Sequence, residues 1–304
     1  MISDTIIQSI TKFVPKENLF LKEPMDTHTT FRTGGEADCL VEIENAEQLS
    51  KLQNYLRQLD ISFFILGNGS NLLVGDGGYA GVVLHIGRHM AAVRIEGNQV
   101  TAQAGALMSR VSKAACDNNL SGLEFASGIP GTIGGGVVMN AGAYGGELKQ
   151  IVTSVQVLDR EGNLLKLDND TMEFGYRTSV IKRYPFIVTE VTMALERDGK
   201  DAVKARMEAL SVKRREKQPL EYPSAGSTFK RPEGHYAGEL IMNAGLAGFQ
   251  IGGARVSEKH CGFVINTGNA SSSDILAVIK EVRKVVKEQF NVDLEPEVVI
   301  LGKF

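Results

Sequence analysis

Residues 122–146 read GLEFASGIPGTIGGGVVMNAGAYGG, in which nine of the twenty-five residues are glycine and one, Pro130, is proline. At ordinary usage a segment of this length would hold about two glycines. Glycine weakens helix and strand interiors, so this density implies a backbone with a task that a Cβ would obstruct. Two tasks fit: successive tight turns at positive φ, and the close approach of a ligand to main-chain N–H groups, as a diphosphate requires. A glycine-rich packed crossing between two elements would leave the same signature.

Around this stretch lies a chain of 304 residues, long enough for two or three domains with cores of their own. Its 43% hydrophobic and 23% charged content is that of a globular protein without a disordered tail. A net charge of −3 supplies no field to gather nucleic acid or an anionic membrane, and no apolar run approaches the ~20 residues needed to span a bilayer. Residues 1–20 mix charge into their apolar positions and do not read as a signal peptide, so a cytoplasmic protein is expected. Cys39, Cys116 and Cys261 stand far apart without a CxxC pair, and the only histidines at helical metal spacing, His85 and His89, straddle a glycine. Neither a disulfide framework nor a metal site is expected.

Upstream, CLVEIE reads as a strand, Asn45 as the cap of a helix over 46–59, and ISFFIL (61–66) as a second strand. Gln48 completes a capping-box pattern, and Leu49, Leu52, Leu56 and Leu59 share one helical face. Gly67-Asn68-Gly69-Ser70-Asn71 follows at once, a second candidate phosphate cradle or a plain turn. From about 81 to 195 strand signals dominate: GVVLHI, then hairpins around Gly97-Asn98 and Gly162-Asn163, then FIVTEVTMAL, giving a mostly antiparallel sheet. One helix, 107–119, interrupts them with Leu107, Val111 and Ala115 turned inward. A charged helix over 201–217 carries Val203, Met207 and Leu210 as its stripe and links two domains. It ends on Lys213, Arg214, Arg215 and Lys217, either a solvated basic end or an anion-binding patch. The remainder reads as a small α+β unit with helices over 237–243 and 273–290 and a closing strand within 291–301.

Five separated motifs, ILGNGSNLLV (65–74), SGIPGTIGGGVVMNAGAYGGE (127–147), FGYRTS (174–179), AGSTFKRP (225–232) and LEPEVVILG (294–302), closely resemble the UDP-N-acetylenolpyruvoylglucosamine reductase family. The match runs in order from about residue 27 to the C-terminus, and the short 183–187 connection resembles the class lacking an extra substrate-covering loop. The resemblance implies an α+β protein: a two-subdomain FAD-binding fold of the vanillyl-alcohol oxidase and p-cresol methylhydroxylase type over 1–88 and 89–200, plus a C-terminal α+β substrate domain over 201–304. It also implies FAD between two glycine-rich walls. Gly67, Asn68, Gly69, Ser70 and Asn71 would form one, and Gly128, Ile129, Pro130, Gly131, Thr132 and Gly135 the other. Asn140, Ala141, Gly142 and Tyr144 would lie nearer the ring and ribityl chain, and Ile187 near the adenine or flavin edge. No histidine occurs at 29–65 or 67–84, where relatives of this fold attach flavin covalently, so dissociable FAD is expected.

The implied reaction moves a hydride from NADPH through flavin to an enolpyruvyl double bond, leaving a D-lactyl ether. Hydride at C3 leaves charge at C2 spread into the carboxylate. By resemblance Arg177 would hold that carboxylate, Ser227 would protonate C2, and Glu297 would act as an acid or hydrogen-bonding partner beside the intermediate. Tyr176, Lys217, Lys230 and Arg231 would bind the UDP-sugar, though longer relatives have asparagine where this chain has Arg231. Taken alone, Arg177 would be a surface arginine and Ser227 a loop serine. The parity of Val292, Leu294, Val298 and Ile300 would turn Glu297 to solvent. An FAD oxidase or dehydrogenase of the same fold acting on another small alcohol would share both glycine stretches without needing the three catalytic residues. A non-catalytic nucleotide-binding protein with a partner at 213–217 is the third reading. A monomer, with no nucleic-acid partner and no membrane insertion, is expected.

Overall fold

The computed structural model describes residues 2–304, which form two compact units. The first comprises residues 2–21, 39–68 and 81–214, and the second residues 22–38, 69–80 and 215–304. The chain passes from one to the other between Arg214 and Arg215, inside the helix Lys200–Lys217. No helix among the described residues is long and apolar enough to cross a membrane.

In the first unit five antiparallel strands form the larger sheet, in the order Leu164–Asp168, Val152–Leu158, Ile187–Ala194, Gln99–Gln103 and Val93–Glu96. Its central strand Ile187–Ala194 buries Val191 and Met193 between half-buried Glu190 and Thr192, the alternation a half-covered sheet requires. The expected hairpins are present, the first with Gly97 at a φ of 64°. GVVLHI departs from expectation. Its residues 81–85 lie in Tyr79–His85, which pairs in parallel with Phe63–Leu66 in a separate sheet ordered Leu19–Pro24, Glu36–Glu42, Tyr79–His85, Phe63–Leu66. The unbroken run Val82, Val83 and Leu84, all fully buried, suits a strand covered on both faces.

The helix Ala46–Gln58 buries Leu49, Leu52 and Leu56, but Leu59 falls at its C-cap and is 47% exposed. Asn45 caps through the Gln48 N–H at 2.9 Å, whereas the Gln48 side chain accepts from Glu44 rather than from Asn45, so the capping box is only half formed. Leu107, likewise expected inside, is the N-cap of Met108–Asp117 and stands exposed, while Val111 and Ala115 are buried. The glycine-rich stretch supplies the short helix Ile133–Val138, and here the packing explanation holds. A Cβ on Gly134 would stand 2.7 Å from the Ala104 Cβ.

The second unit is organised on the helix Ser272–Phe290, opened by a capping box between Ser271 and Asp274 and closed by left-handed Asn291 at a φ of 55°. Its Ile275, Val278, Ile279, Val282 and Val286 share a core with Phe31, Leu73, Phe229, Leu240 and Leu294. The three strands Gln250–Ile251, Ala254–Val256 and Val264–Asn266 flank it. The closing segment is a strand only at Val299–Leu301, parallel to Leu72–Val74. Pro296 has no N–H for a continuous ladder, and 291–298 keeps one isolated bridge, Phe229 to Pro296. The expected parity therefore fails at its end: Val298 is buried but Ile300 is 43% exposed, and Glu297 is half-buried rather than turned to solvent.

Candidate active site

In the first unit the loop after Phe63–Leu66 meets the turn before Ile133–Val138. Asn68 Nδ2 donates to the Pro130 carbonyl, and a Cβ on Gly67 would stand 2.6 Å from Thr132 Oγ1. That hydroxyl is already used, accepting the Gly135 N–H at 3.3 Å as a helix cap. Among the described residues the amides of Gly67, Asn68, Gly128, Gly131 and Thr132 find no acceptor in the chain, although Gly131 and Thr132 are buried. Buried amides are nearly always paired, so this cluster of free donors suits an anion such as the diphosphate of FAD. Arg214 adds a positive charge, its Nη1 lying 2.7 Å from where a Gly128 Cβ would be. Burial pulls this guanidinium below its usual range and nearby Tyr144 opposes the shift. The basic end of the helix is thus half-buried at Arg214 while Lys213, Arg215 and Lys217 are exposed.

The start of the glycine-rich stretch is clamped to the same helix. Glu124 is buried, accepts the Gly122 N–H at 2.7 Å and the Ser121 hydroxyl at 3.0 Å, and pairs with Arg206, which also holds Asp198. Burial alone would raise the Glu124 pKa. The donors around it outweigh that and hold it below the usual glutamate value.

Arg177 sits on a turn closed by the Gly175–Thr178 bridge, with its own φ at 53°. Three bonds fasten this turn to the glycine-rich wall. Asn140 Nδ2 donates to the Gly175 carbonyl at 3.0 Å, Ser179 Oγ to the Val138 carbonyl at 3.0 Å, and Arg177 Nη2 to the Gly142 carbonyl at 3.3 Å. Asn140 is 1% exposed, so its side chain serves this junction. The Arg177 guanidinium lies 5.2 Å above the ring of Tyr176, itself exposed, as is Tyr144. Ala141 and Gly142 are half-buried, whereas Ile187 is buried in the core opposite Leu158.

In the second unit Gly69 has a φ of 59°, and a Cβ there would lie 1.9 Å from the His28 carbonyl oxygen. Beside it the Thr30 N–H donates to the Gly69 carbonyl at 3.2 Å while the buried Thr30 hydroxyl has no partner among the described residues. The Ser70 amide, too, has no acceptor among the described residues. Asn71 turns its side chain away from this role, donating to the Glu297 carbonyl at 3.1 Å. Ser227 is exposed on a loop, and the structure links it to Glu297 through one residue, since the Thr228 carbonyl accepts the Glu297 N–H at 2.8 Å. Lys230 is ion-paired with Glu295, and Arg231 stacks 4.1 Å above the Tyr236 ring. Ser227 and Glu297 are thus brought together within the second unit, and Arg177 belongs to the first. Residue-type reasoning missed Thr228, Glu124 and Arg206. Only Arg214 carried a sequence signal, as a member of the basic cluster.

Comparison with known proteins points one way. Residues 37–168 match the family model described as an FAD binding domain, and residues 218–301 match the UDP-N-acetylenolpyruvoylglucosamine reductase C-terminal domain. The UDP-N-acetylenolpyruvoylglucosamine reductase of Caldanaerobacter subterraneus subsp. tengcongensis is 50% identical over 99% of both chains. That of Agathobacter rectalis is 46% identical over 99% of this chain and 100% of its own. The crystal structure of the Thermus caldophilus reductase superposes with a TM-score of 0.80 at 33% identity, covering 93% of this chain and 98% of that one. Phl p 4.0202, a glucose dehydrogenase, shares the fold alone, with a TM-score of 0.52 at 14% identity over 64% of this chain and 44% of its own.

Proposed function

The chain belongs to the UDP-N-acetylenolpyruvoylglucosamine reductase family, FAD-dependent oxidoreductases of peptidoglycan precursor synthesis, and we propose from this that it reduces UDP-N-acetylglucosamine enolpyruvate to UDP-N-acetylmuramate with NADPH. The observation that carries the proposal is the fastening of the Arg177 turn to the glycine-rich wall by Asn140 and Ser179. A surface arginine of no consequence would not need a buried asparagine and a serine beneath it.

Non-covalently bound FAD would supply the hydride relay from NADPH to C3 of the substrate. Amides of Gly67, Asn68 and Ser70 and of Gly128, Gly131 and Thr132 would hold its diphosphate, since Pro130 has no N–H and the Ile129 N–H donates to the Ala126 carbonyl at 3.1 Å. Gly135, Ala141, Gly142 and Tyr144 would line the same wall, and Ile187, buried in the core, would back it. Arg177 would clamp the pyruvyl carboxylate with two parallel donors and stabilise the charge spread from C2, a contact worth roughly 2.7–4 kcal/mol in the transition state. The Ser227 hydroxyl would give its proton to C2 and regain one from solvent. Glu297 would hydrogen-bond the developing enolate. Tyr176, Lys217, Lys230 and Arg231 would bind the UDP-sugar, for which Lys230 must exchange Glu295 for a phosphate oxygen. In this proposal residues 1–88 and 89–200 are the two parts of the flavin domain and residues 201–304 the substrate domain of a cytoplasmic monomer.

The test is an absorbance spectrum of the purified protein, followed by anaerobic titration with NADPH and then with UDP-N-acetylglucosamine enolpyruvate. A flavin spectrum that bleaches with NADPH and returns with the enolpyruvyl sugar is expected. Bleaching without return on addition of this substrate would overturn the assignment.

A further inference from the structure

Thr228 is fully buried and uses three of its polar groups on two different segments. Its N–H donates to the Gly262 carbonyl at 2.8 Å, its Oγ1 accepts the Val264 N–H at 3.0 Å, and its carbonyl accepts the Glu297 N–H at 2.8 Å. A valine would fill the same volume without burying a hydroxyl, so the oxygen is present for the Val264 amide.

The neighbours sharpen this. Glu297 is held from both ends, its N–H by Thr228 and its carbonyl by Asn71 Nδ2, while the Lys230 N–H donates to the Glu295 carbonyl at 2.9 Å. Ser227 has no such support. Among the described residues it makes no hydrogen bond, and the residue before it, Gly226, has a φ of 77° with open space where a Cβ would be. The location of Ser227 is therefore set from its Thr228 side.

We propose that Thr228 is a positioning residue that sets the Ser227 hydroxyl and the Glu297 carboxyl in register, acting as a crossbar between segments 262–264 and 295–297. This rests on the roles given to Ser227 and Glu297 above. The β-branched side chain is stiff about χ1, so fixing Oγ1 on Val264 fixes the backbone that Ser227 continues.

The test compares Thr228→Val, Thr228→Cys and Thr228→Ser in stopped-flow half-reactions normalised to bound flavin, with Ser227→Ala alongside. A misplacement near 1 Å can cost about a hundredfold, so re-oxidation by the enolpyruvyl sugar is expected to slow roughly 10- to 100-fold in Thr228→Val and Thr228→Cys, and only a few-fold in Thr228→Ser. Reduction by NADPH and the substrate KM should stay near wild type. Hydrogen–deuterium exchange supplies a readout independent of turnover: the Val264 amide should exchange faster in the valine and cysteine variants and normally in the serine variant. Wild-type re-oxidation in Thr228→Val and Thr228→Cys beside a slow Ser227→Ala overturns this inference alone. A serine variant as slow as the cysteine one also overturns it, and should the valine variant fail to fold, that comparison decides. Wild-type re-oxidation in Ser227→Ala overturns the assignment of Ser227 and this inference with it.

Discussion

The side chain of Asn140 joins the glycine-rich wall to the Arg177 turn, with Nδ2 donating to the Gly175 carbonyl at 3.0 Å and Oδ1 accepting the Lys149 N–H at 2.9 Å. Its φ of 43° is one that asparagine and aspartate tolerate better than most residues. Asn140→Asp therefore keeps the backbone and the Lys149 bond while removing the donor to Gly175. The half-buried Gly175 carbonyl keeps the Thr178 N–H at 3.3 Å, so the change removes one net hydrogen bond of about 0.5–1.5 kcal/mol and predicts a loss in kcat/KM for the enolpyruvyl sugar of about two- to tenfold. Steady-state kinetics checks this, and an unchanged kcat/KM would mean that the junction does not position Arg177.

For Arg177→Lys the two half-reactions should separate. Lysine keeps the charge but cannot place two donors on one carboxylate, so flavin re-oxidation should slow more than reduction by NADPH in stopped-flow traces. Equal losses in both phases would point to a general disturbance of the turn.

Gly67→Ala should loosen FAD. The added methyl would meet Thr132 Oγ1 at 2.6 Å and displace it from the Gly135 cap. Losing such a cap costs about 1 kcal/mol, and flavin fluorescence should report FAD affinity weakened by about fivefold or more. Gly199→Ala, where nothing lies within 4 Å, should bind FAD normally. Equal affinity in both variants would refute the close approach at Gly67.

Glu124 provides a pH test. Its folded pKa lies below the ordinary 4.5, so its contribution is present above pH 4.5 and is lost as the pH falls through the folded value. Urea unfolding should show Glu124→Gln less stable by about 1.5–3 kcal/mol at pH 7. The low end is favoured because Arg206 is partly exposed. The gap to wild type should narrow below pH 4.5, and a gap that stays constant into acid would exclude the carboxylate as its source.

Periodicity made most helices legible, because Ile275, Val278, Ile279, Val282 and Val286 recur on one face and bury there. It failed at the ends, where Leu59 and Leu107 continue the pattern but occupy caps at the edge of the core. GVVLHI carried a signal for a parallel, doubly covered strand in its unbroken apolar run, and its position before two hairpins masked it. Composition located the glycine-rich stretch but could not separate Gly134, which packs on Ala104, from Gly131, whose amide has no acceptor among the described residues. Ser227 and Glu297 stood out only through family motifs. Thr228 was illegible because its partners at 262, 264 and 297 are neighbours in space alone.

Neither unit is a single run of residues, and Phe31 and Leu73 complete the core that Leu240 and Ile279 begin. Recombination between relatives at one junction near residue 214 would therefore pair a core from one parent with two foreign side chains from the other. Small mismatches in a packed interior are costly. Reciprocal chimaeras joined there should be less stable than either parent unless segments 22–38 and 69–80 travel with the C-terminal part. The chain is thus expected to diverge as one inherited block, with exchange tolerated only in three pieces at once.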